Sequence, residues 1–159
     1  MAKSPVTSAV RALRSANVVY SQHLFDYDRH PSAELAAEAI GVDPHHTAKT
    51  IVFTSDEGEG AIVVMHGDLE VSAKKLARIL GVKTVQPATQ RDAQRITGYR
   101  FGGTSPLGMK TDPPVFMQET LSAIDIVYVN GGSRGFLIGI APATLAELTR
   151  ARLVEVAVD

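Results

Sequence analysis

The sequence predicts an α+β fold in which helices pack around a largely antiparallel sheet. Segments with helical apolar spacing and segments rich in β-branched residues are interspersed along the chain. Most neighbouring strand segments are joined by short turns, which connect antiparallel strands, whereas parallel strands need long crossovers. The length of 159 residues suits one domain with its own core, residues 1–159.

Capping signals define the helices. A hydroxyl side chain precedes each of the first four helical segments, where it can accept a hydrogen bond from a first-turn N–H group. Gly41 and Gly81 follow the second and third segments as C-terminal stops. The predicted N-caps are Ser4, Ser32, Ser72 and Thr89. The predicted helices are Ser4–Ala16, Ala33–Ile40, Ala73–Leu80, Gln90–Ile96 and Pro142–Thr149.

Short β-branched and aromatic segments define the strands. The polar, glycine-containing run Asp56–Gly60 predicts a hairpin turn. The two strands beside it are almost continuously apolar, so we expect both faces of this hairpin to be covered. The predicted strands are Val18–Phe25, Ala48–Thr54, Ala61–His66, Val82–Val85, Val115–Met117, Ile124–Val129, Phe136–Ile140 and Leu153–Val156.

Composition excludes several classes of protein. The chain has no cysteine, which excludes a disulfide framework, a thiolate zinc site and a cysteine nucleophile. No apolar run approaches the length of a membrane span, and the first residues lack the apolar core of a signal peptide. We therefore expect a cytoplasmic protein that does not enter a membrane.

The charge is unevenly distributed. The net charge of −1 argues against a general nucleic-acid binder. The segment from Lys74 to Lys110, however, carries eight basic side chains and one acidic side chain, a net charge of +7, while the remainder carries −8. Such a segment either faces phosphates or simply solvates its helices. Its basic residues are Lys74, Lys75, Arg78, Lys83, Arg91, Arg95, Arg100 and Lys110.

Common catalytic signatures are missing. No histidine has the H-E-x-x-H spacing of a metal site, and His45-His46 is interpreted as a solvated pair in a turn. Ser105 is not in a nucleophile elbow, and Lys110 lacks the spacing of a phosphate-binding loop. Gly131–Gly135 leads into a strand and not a helix, which excludes a dinucleotide fingerprint. No metal and no organic cofactor is therefore expected.

Two glycine-rich loops and one lysine remain as candidates for a site. Gly98–Lys110 contains four glycines and Pro106, and its backbone N–H groups can form a concave nest. Gly131–Gly135 is a second such loop. Lys49 begins an apolar strand, where its flexible stem can place a cation at the mouth of a pocket. Ordinary surface turns and a lysine that only reaches solvent are the alternatives.

Three motifs in order resemble one family. They are Ala48-Lys49-Thr50-Ile51-Val52, Thr97-Gly98-Tyr99 with Gly102–Gly108, and Tyr128-Val129 with Gly131-Gly132 and Arg134-Gly135. Over about the whole chain, the sequence resembles the YbaK/EbsC family of aminoacyl-tRNA deacylases, which is related to the editing domain of bacterial prolyl-tRNA synthetases. The resemblance implies a mixed, mostly antiparallel, barrel-like sheet surrounded by helices.

The resemblance also implies functional residues. Lys49 takes the position of the family's essential lysine, and the two glycine loops would line the pocket for the aminoacyl group. The substrate-binding residues that we predict on this basis are Phe25, Thr50, Gly102, Gly103, Thr104, Ser105, Pro106, Leu107, Gly108, Gly131, Gly132, Arg134 and Leu137. The predicted tRNA-binding residues are Lys74, Lys75, Arg78, Arg91, Arg95, Arg100 and Lys110.

The implied activity is removal of a wrongly attached small amino acid from tRNA, with Cys-tRNA(Pro) as the expected substrate. In cysteine-specific members the substrate thiol attacks its own ester, which makes the step lyase-like. Two positions depart from those members, which carry tyrosine at the position of Phe25 and aspartate at that of Leu137. Both departures remove polar groups, so another small amino acid is an alternative substrate.

The expected partners are mischarged tRNA and, as a candidate, prolyl-tRNA synthetase, with no role for DNA. One alternative is a non-catalytic module of the same fold that binds tRNA or a synthetase. A second alternative is a pocket for free nucleotides or amino acids.

Overall fold

The fold is built on an eight-stranded mixed sheet. The computed structural model describes residues 4–159. Four strand pairings are antiparallel (β1–β7, β2–β3, β2–β4 and β6–β7) and three are parallel (β2–β6, β3–β5 and β5–β8). The strand order is β1-β7-β6-β2-β3-β5-β8, with β4 also paired to β2. The strands are β1 (Ser21–Leu24), β2 (Thr47–Ser55), β3 (Gly60–His66), β4 (Val85–Pro87), β5 (Val115–Gln118), β6 (Val127–Asn130), β7 (Phe136–Ile140) and β8 (Arg152–Val154).

Within residues 4–159, five α-helices accompany the sheet. Together with the strand pairings, they confirm the predicted α+β class with a mixed, mostly antiparallel sheet. Ser32, Ser72 and Thr89 cap their helices as predicted. The helices are α1 (Ser8–Ala16), α2 (Ala33–Ile40), α3 (Ala73–Leu80), α4 (Gln90–Thr97) and α5 (Pro142–Thr149). Short 3₁₀ turns cover Pro44–His46 and Glu119–Ala123.

The predicted start of the first helix is wrong. The N-cap is Thr7 and not Ser4, and its side chain accepts a hydrogen bond from the N–H of Val10. The Thr7 hydroxyl also donates to the carbonyl of Gly131, 124 residues away. A tertiary contact that the local sequence does not reveal therefore selects the later cap.

Several predicted strands are shifted. The N–H of Val82 bonds to the carbonyl of Ala77, so Val82 completes the end of α3 and β4 begins only at Val85. A 3₁₀ turn closes at Ile124, whose N–H bonds to Leu121, so β6 begins at Val127. The first strand shortens to Ser21–Leu24 and the last shifts to Arg152–Val154, where it pairs in parallel with β5.

The sheet is covered on both faces. Alternate β3 residues enter two separate core clusters, with Ile62 and Val64 in one and Val63 and Met65 in the other. Helices α1, α4 and α5 contribute to the first cluster, and α3 contributes to the second. The prediction that the central hairpin is buried on both sides is therefore confirmed. Among residues 4–159, no helix is long and apolar enough to span a bilayer.

Candidate active site

A cleft of about 240 Å³ opens where β2, β6 and β7 meet the first glycine-rich loop and the start of α2. We call it the Lys49 cleft. Its lining combines aromatic rings, small apolar side chains and a few polar groups, which is typical of a small-ligand site. The lining residues are Phe25, Tyr27, His30, Pro31, Ser32, Ala33, Ala36, Ala48, Lys49, Thr50, Phe101, Gly102, Thr104, Asn130 and Leu137.

Lys49 supplies a cation to this cleft. It lies on β2 opposite Met65 of β3, and 25% of its side chain is exposed. Its Nζ donates a hydrogen bond to Oε1 of Glu70 at 3.0 Å. The Glu70 side chain is 78% exposed, and such solvent-exposed ion pairs are weak. The ammonium can therefore exchange Glu70 for a negatively charged ligand at little cost.

The neighbouring Thr50 presents an unused hydroxyl. Its Oγ1 is buried and has no hydrogen-bond partner among residues 4–159. A buried polar atom without a partner costs about 1–3 kcal/mol. Thr50 pairs with Val64 and Lys49 pairs with Met65, and these two partners belong to core clusters on opposite faces of the sheet. The Thr50 hydroxyl therefore faces the core, and Thr50 lines the cleft from the other side of the strand.

The first glycine loop contributes Gly102 and Thr104 to the lining of the cleft. Gly102 has φ +85°, a conformation that favours glycine. The N–H of Gly103 is bonded to the carbonyl of Arg100, whereas those of Gly102 and Thr104 have no acceptor within residues 4–159. The N–H groups of these two lining residues, in a cleft that also holds the cation of Lys49, are candidate donors to a developing oxyanion.

Asn130 joins the two glycine loops. Its Nδ2 donates to the carbonyl of Gly102 at 3.1 Å, and its Oδ1 accepts from the N–H groups of Gly132 at 2.7 Å and Ser133 at 3.2 Å. One side chain thus fixes the separation of both loops at the cleft.

Helix α1 holds the same two loops from its N-terminus. The Thr7 hydroxyl donates to the carbonyl of Gly131, and the Ser8 hydroxyl donates to the carbonyl of Gly108 at 2.6 Å. The backbone at the cleft is therefore constrained by three side chains from two elements, which is the preorganisation that electrostatic catalysis requires.

The structure brings six of the predicted site residues together in the cleft. They are Phe25, Lys49, Thr50, Gly102, Thr104 and Leu137. The other eight do not line it, and most of them shape the loops by packing. Ser105 accepts a hydrogen bond from the N–H of Leu107, and a Cβ on Gly131 would meet the ring of Phe136 at 2.5 Å. The eight are Gly103, Ser105, Pro106, Leu107, Gly108, Gly131, Gly132 and Arg134.

Arg134 lies just outside the cleft, where it supports the lining. Its guanidinium carbon is 5.1 Å from the centre of the Tyr27 ring, and its Nε donates to the carbonyl of Phe101 at 2.8 Å. The arginine therefore connects the loop after β1 to the first glycine loop.

Sequence reasoning missed several lining residues. Tyr27, His30 and Phe101 belong to loops whose path is set by long-range contacts, and no local pattern marks them. Asn130 did have a signal, since an asparagine before two glycines often bonds to the backbone two residues later. Ala33 and Ala36 lie on the helix face that turns toward the sheet.

The predicted basic segment is divided between the two faces of the sheet. Helices α3 and α4 contribute to core clusters on opposite faces of the sheet. Lys75 already forms ion pairs within the protein, because its Nζ donates to Glu155 at 2.8 Å and to Asp159 at 2.7 Å. These hydrogen bonds raise the pKa of Lys75. The exposed members of the predicted set are Lys74, Arg78, Arg91, Arg95, Arg100 and Lys110.

His45 is partly exposed to solvent, with 41% of its side chain accessible, and His46 is exposed, but His45 also makes specific contacts. Its ring stacks on that of His66 with the centroids 3.8 Å apart, and its Nδ1 lies 3.0 Å from a carboxylate oxygen of Asp68. Both ring nitrogens of the fully buried His66 are engaged, one with the carbonyl of His45 and the other with the hydroxyl of Thr120. Although the ligand atoms of the three residues lie within 4.8 Å of one another, these bonds give the cluster a structural role that fixes the entry to β2.

This cluster predicts a pH dependence of stability. Burial lowers the pKa of His66, since desolvation disfavours the imidazolium. Unfolding therefore takes up a proton once the pH is below the unfolded-state pKa of about 6.5. We expect the free energy of unfolding to fall as the pH drops below about 6.5 toward the lower native pKa. Denaturant titrations at several pH values would measure this, and an equal slope in His66→Gln would contradict it.

Comparison with known proteins identifies the family. The model of the aminoacyl-tRNA editing domain matches residues 29–148. The chain belongs to this family. Of its curated relatives, the "Putative Cys-tRNA(Pro)/Cys-tRNA(Cys) deacylase EbsC" of Enterococcus faecalis is 32% identical over 151 residues, which are 94% of this chain and 92% of EbsC.

The chain also matches part of a larger enzyme. The proline–tRNA ligase of Brachyspira hyodysenteriae is 30% identical over 83 residues, 52% of this chain and 14% of the ligase. Among solved structures, one described as "a putative trans-editing enzyme for prolyl tRNA synthetase" superimposes with a TM-score of 0.84 at 26% identity, covering 98% of this chain and all of the other.

Proposed function

We propose that this protein is a free-standing deacylase that removes a wrongly attached small amino acid from tRNA, with Cys-tRNA(Pro) as the preferred substrate. The observation that carries the proposal is the Lys49 cleft, where a cation lines the same small pocket as a constrained glycine loop whose Gly102 and Thr104 N–H groups have no acceptor within residues 4–159. Membership of the editing family and the names of the relatives support the same reaction class.

The need for such a site follows from the limits of binding discrimination. A synthetase distinguishes two small apolar side chains by only about 1–3 kcal/mol per methylene. A second pocket that clears the wrong product multiplies the selectivity. A small cleft with a constrained backbone suits this task.

In the proposed reaction, the ester carbonyl carbon is attacked and its bond to the ribose oxygen breaks. The attacking atom is a water oxygen, which yields the free amino acid, or, for cysteine, the substrate's own sulfur, which yields a cyclic thiolactone. A terminal ribose hydroxyl would only relay the proton of that water, because its own attack would leave the amino acid on the tRNA. The ribose oxygen takes a proton and leaves as a hydroxyl. The N–H groups of Gly102 and Thr104 would bind the developing oxyanion, and Lys49 would hold negative charge at the tRNA end. Thr50 would form part of the wall of the pocket for the amino acid.

The lining also bears on which amino acid is accepted. Phe25 and Leu137 both line the cleft at the two positions where cysteine-specific relatives carry polar residues. The change makes the wall apolar, so cysteine and alanine fit its chemistry better than serine does.

A panel of mischarged tRNAs tests the proposal. Purified protein should clear Cys-tRNA(Pro) faster than Ala-tRNA(Pro) or Ser-tRNA(Pro), and it should leave Pro-tRNA(Pro) intact. If no member of the panel is cleared while tRNA still binds, the protein is a binding module of the same fold.

We also expect tRNA binding to weaken steeply with added salt, because basic side chains that contact phosphates release counterions. Arg100→Ala should reduce the slope of log Kd against log salt by about one. Lys75→Ala is the matched control, since Lys75 is already paired with Glu155 and Asp159. A flat salt response in the wild type would contradict this mode of binding.

A further inference from the structure

Phe101 is the most exposed aromatic side chain of the cleft. It lines the Lys49 cleft, yet 61% of the residue is exposed to solvent. Isolated exposed apolar side chains are ordinary features of protein surfaces. Phe101 differs from these because it lines a concave site that also holds a cation and polar groups.

The other aromatic rings of the cleft are already engaged. Tyr27 lies under the guanidinium of Arg134, and Phe25 makes an edge-to-face contact with His30 at 6.5 Å between centroids. Within residues 4–159, no aromatic ring and no cation pairs with the ring of Phe101. The face of this ring is free to receive a planar ligand.

The backbone that carries Phe101 is fixed on both sides. The carbonyl of Arg100 accepts from Gly103 at 2.9 Å, that of Phe101 from Arg134 at 2.8 Å, and that of Gly102 from Asn130 at 3.1 Å. Three consecutive carbonyls thus accept hydrogen bonds, so the exposed ring of Phe101 projects from a rigid turn. Preorganisation of this kind lowers the cost of binding.

The surrounding charge suits a nucleic acid. Arg100 precedes Phe101 and is exposed, Arg134 bonds to its carbonyl, and Lys49 lies in the same cleft. An aromatic ring beside cations is the arrangement with which proteins bind single-stranded RNA, where bases stack and phosphates pair.

We propose that Phe101 is the stacking platform for the unpaired 3′-terminal base of tRNA, with Arg100 and Arg134 beside the adjoining phosphates. The choice of this ligand rests on the proposed function. The amino-acid ester and the terminal base are attached to the same ribose, so when the aminoacyl group occupies the cleft the base must lie at its rim, where Phe101 is exposed.

Binding of an uncharged RNA hairpin tests this proposal without any deacylation. The hairpin copies the tRNA(Pro) acceptor stem with its single-stranded 3′ end, and a second hairpin lacks only the terminal adenosine. At one fixed salt concentration, Phe101→Ala should raise Kd for the full hairpin by about 5- to 100-fold and abolish the preference over the trimmed one. Phe101→Tyr should keep both properties. Leu153→Ala, on the distant edge strand β8, is the matched control.

A fluorescence experiment gives a direct signature of stacking. The chain has no tryptophan and four tyrosines, so Phe101→Trp introduces a single tryptophan that can be excited selectively at long wavelength. The full hairpin should quench it and the trimmed hairpin should not, while a Leu153→Trp control stays unquenched by both.

The proposal is overturned if the full hairpin binds without quenching, if Phe101→Ala binds both hairpins like the wild type, or if the wild type binds neither. These results are separate from the test of the enzyme. If mischarged tRNA is cleared without stacking, the platform is wrong and the deacylase stands. If stacking occurs without clearance, the deacylase is wrong and the RNA-end site stands.

Discussion

Replacing Lys49 by alanine is expected to lower kcat/KM for deacylation by about 100-fold or more, the size of effect seen when one charge-stabilising donor is removed from an active site. The side chain is partly exposed and its ion pair with Glu70 is open to solvent, so the fold should tolerate the change. Deacylation kinetics together with denaturant unfolding would separate loss of chemistry from loss of structure.

Glu70→Gln provides the matched control for Lys49. It removes the observed partner of the ammonium and leaves the cation in the cleft. We expect its activity to equal or exceed that of the wild type, because the substrate no longer competes with Glu70. If Lys49→Ala retains wild-type turnover, the proposed role of the lysine is wrong.

The second large effect is expected at Asn130. Asn130→Ala removes three hydrogen bonds that join the two glycine loops. The three partner groups are part-buried, so the loss of stability should total about 1–3 kcal/mol, less than full burial of each group would cost. It should also reduce kcat more than the loss of stability explains, because Gly102 would no longer be fixed at the cleft. Unfolding curves and steady-state kinetics on the same preparation measure both quantities.

Asn130→Asp isolates the contact with the first loop. It keeps an acceptor for the N–H groups of Gly132 and Ser133 and places an oxygen against the carbonyl of Gly102. Reduced activity with a largely preserved second loop would support the role of Asn130 in positioning. Full activity in this variant would show that the bond to Gly102 is not needed.

Local sequence patterns, such as helix caps and turn residues, predict much of the fold. Ser32, Ser72 and Thr89 cap helices as expected, and the polar turn between β2 and β3 was visible because its chemistry is contained in five residues. The three parallel pairings were not visible, because they depend on which distant strands meet. The start of α1 was wrong for the same reason, since the Thr7 cap also bonds to Gly131.

The candidate site can also be predicted from the sequence only where its residues belong to local motifs. Lys49, Thr50, Gly102 and Thr104 were predicted because their motifs are local and resemble a known family, and the structure brings them into one cleft. Phe101 was not predicted, since its exposure is decided by tertiary packing. The pairing of His45 with His66 joins residues 21 apart and had no local signal.

The most direct test of the proposed deacylation is the release of cysteine from Cys-tRNA(Pro) under single-turnover conditions, with protein in excess over tRNA. We expect the wild type to release cysteine with first-order kinetics, well above the spontaneous rate. Folded Lys49→Ala should release it at a rate near the spontaneous one. Equal release by both proteins, or none above the spontaneous rate from any mischarged tRNA(Pro), would contradict it.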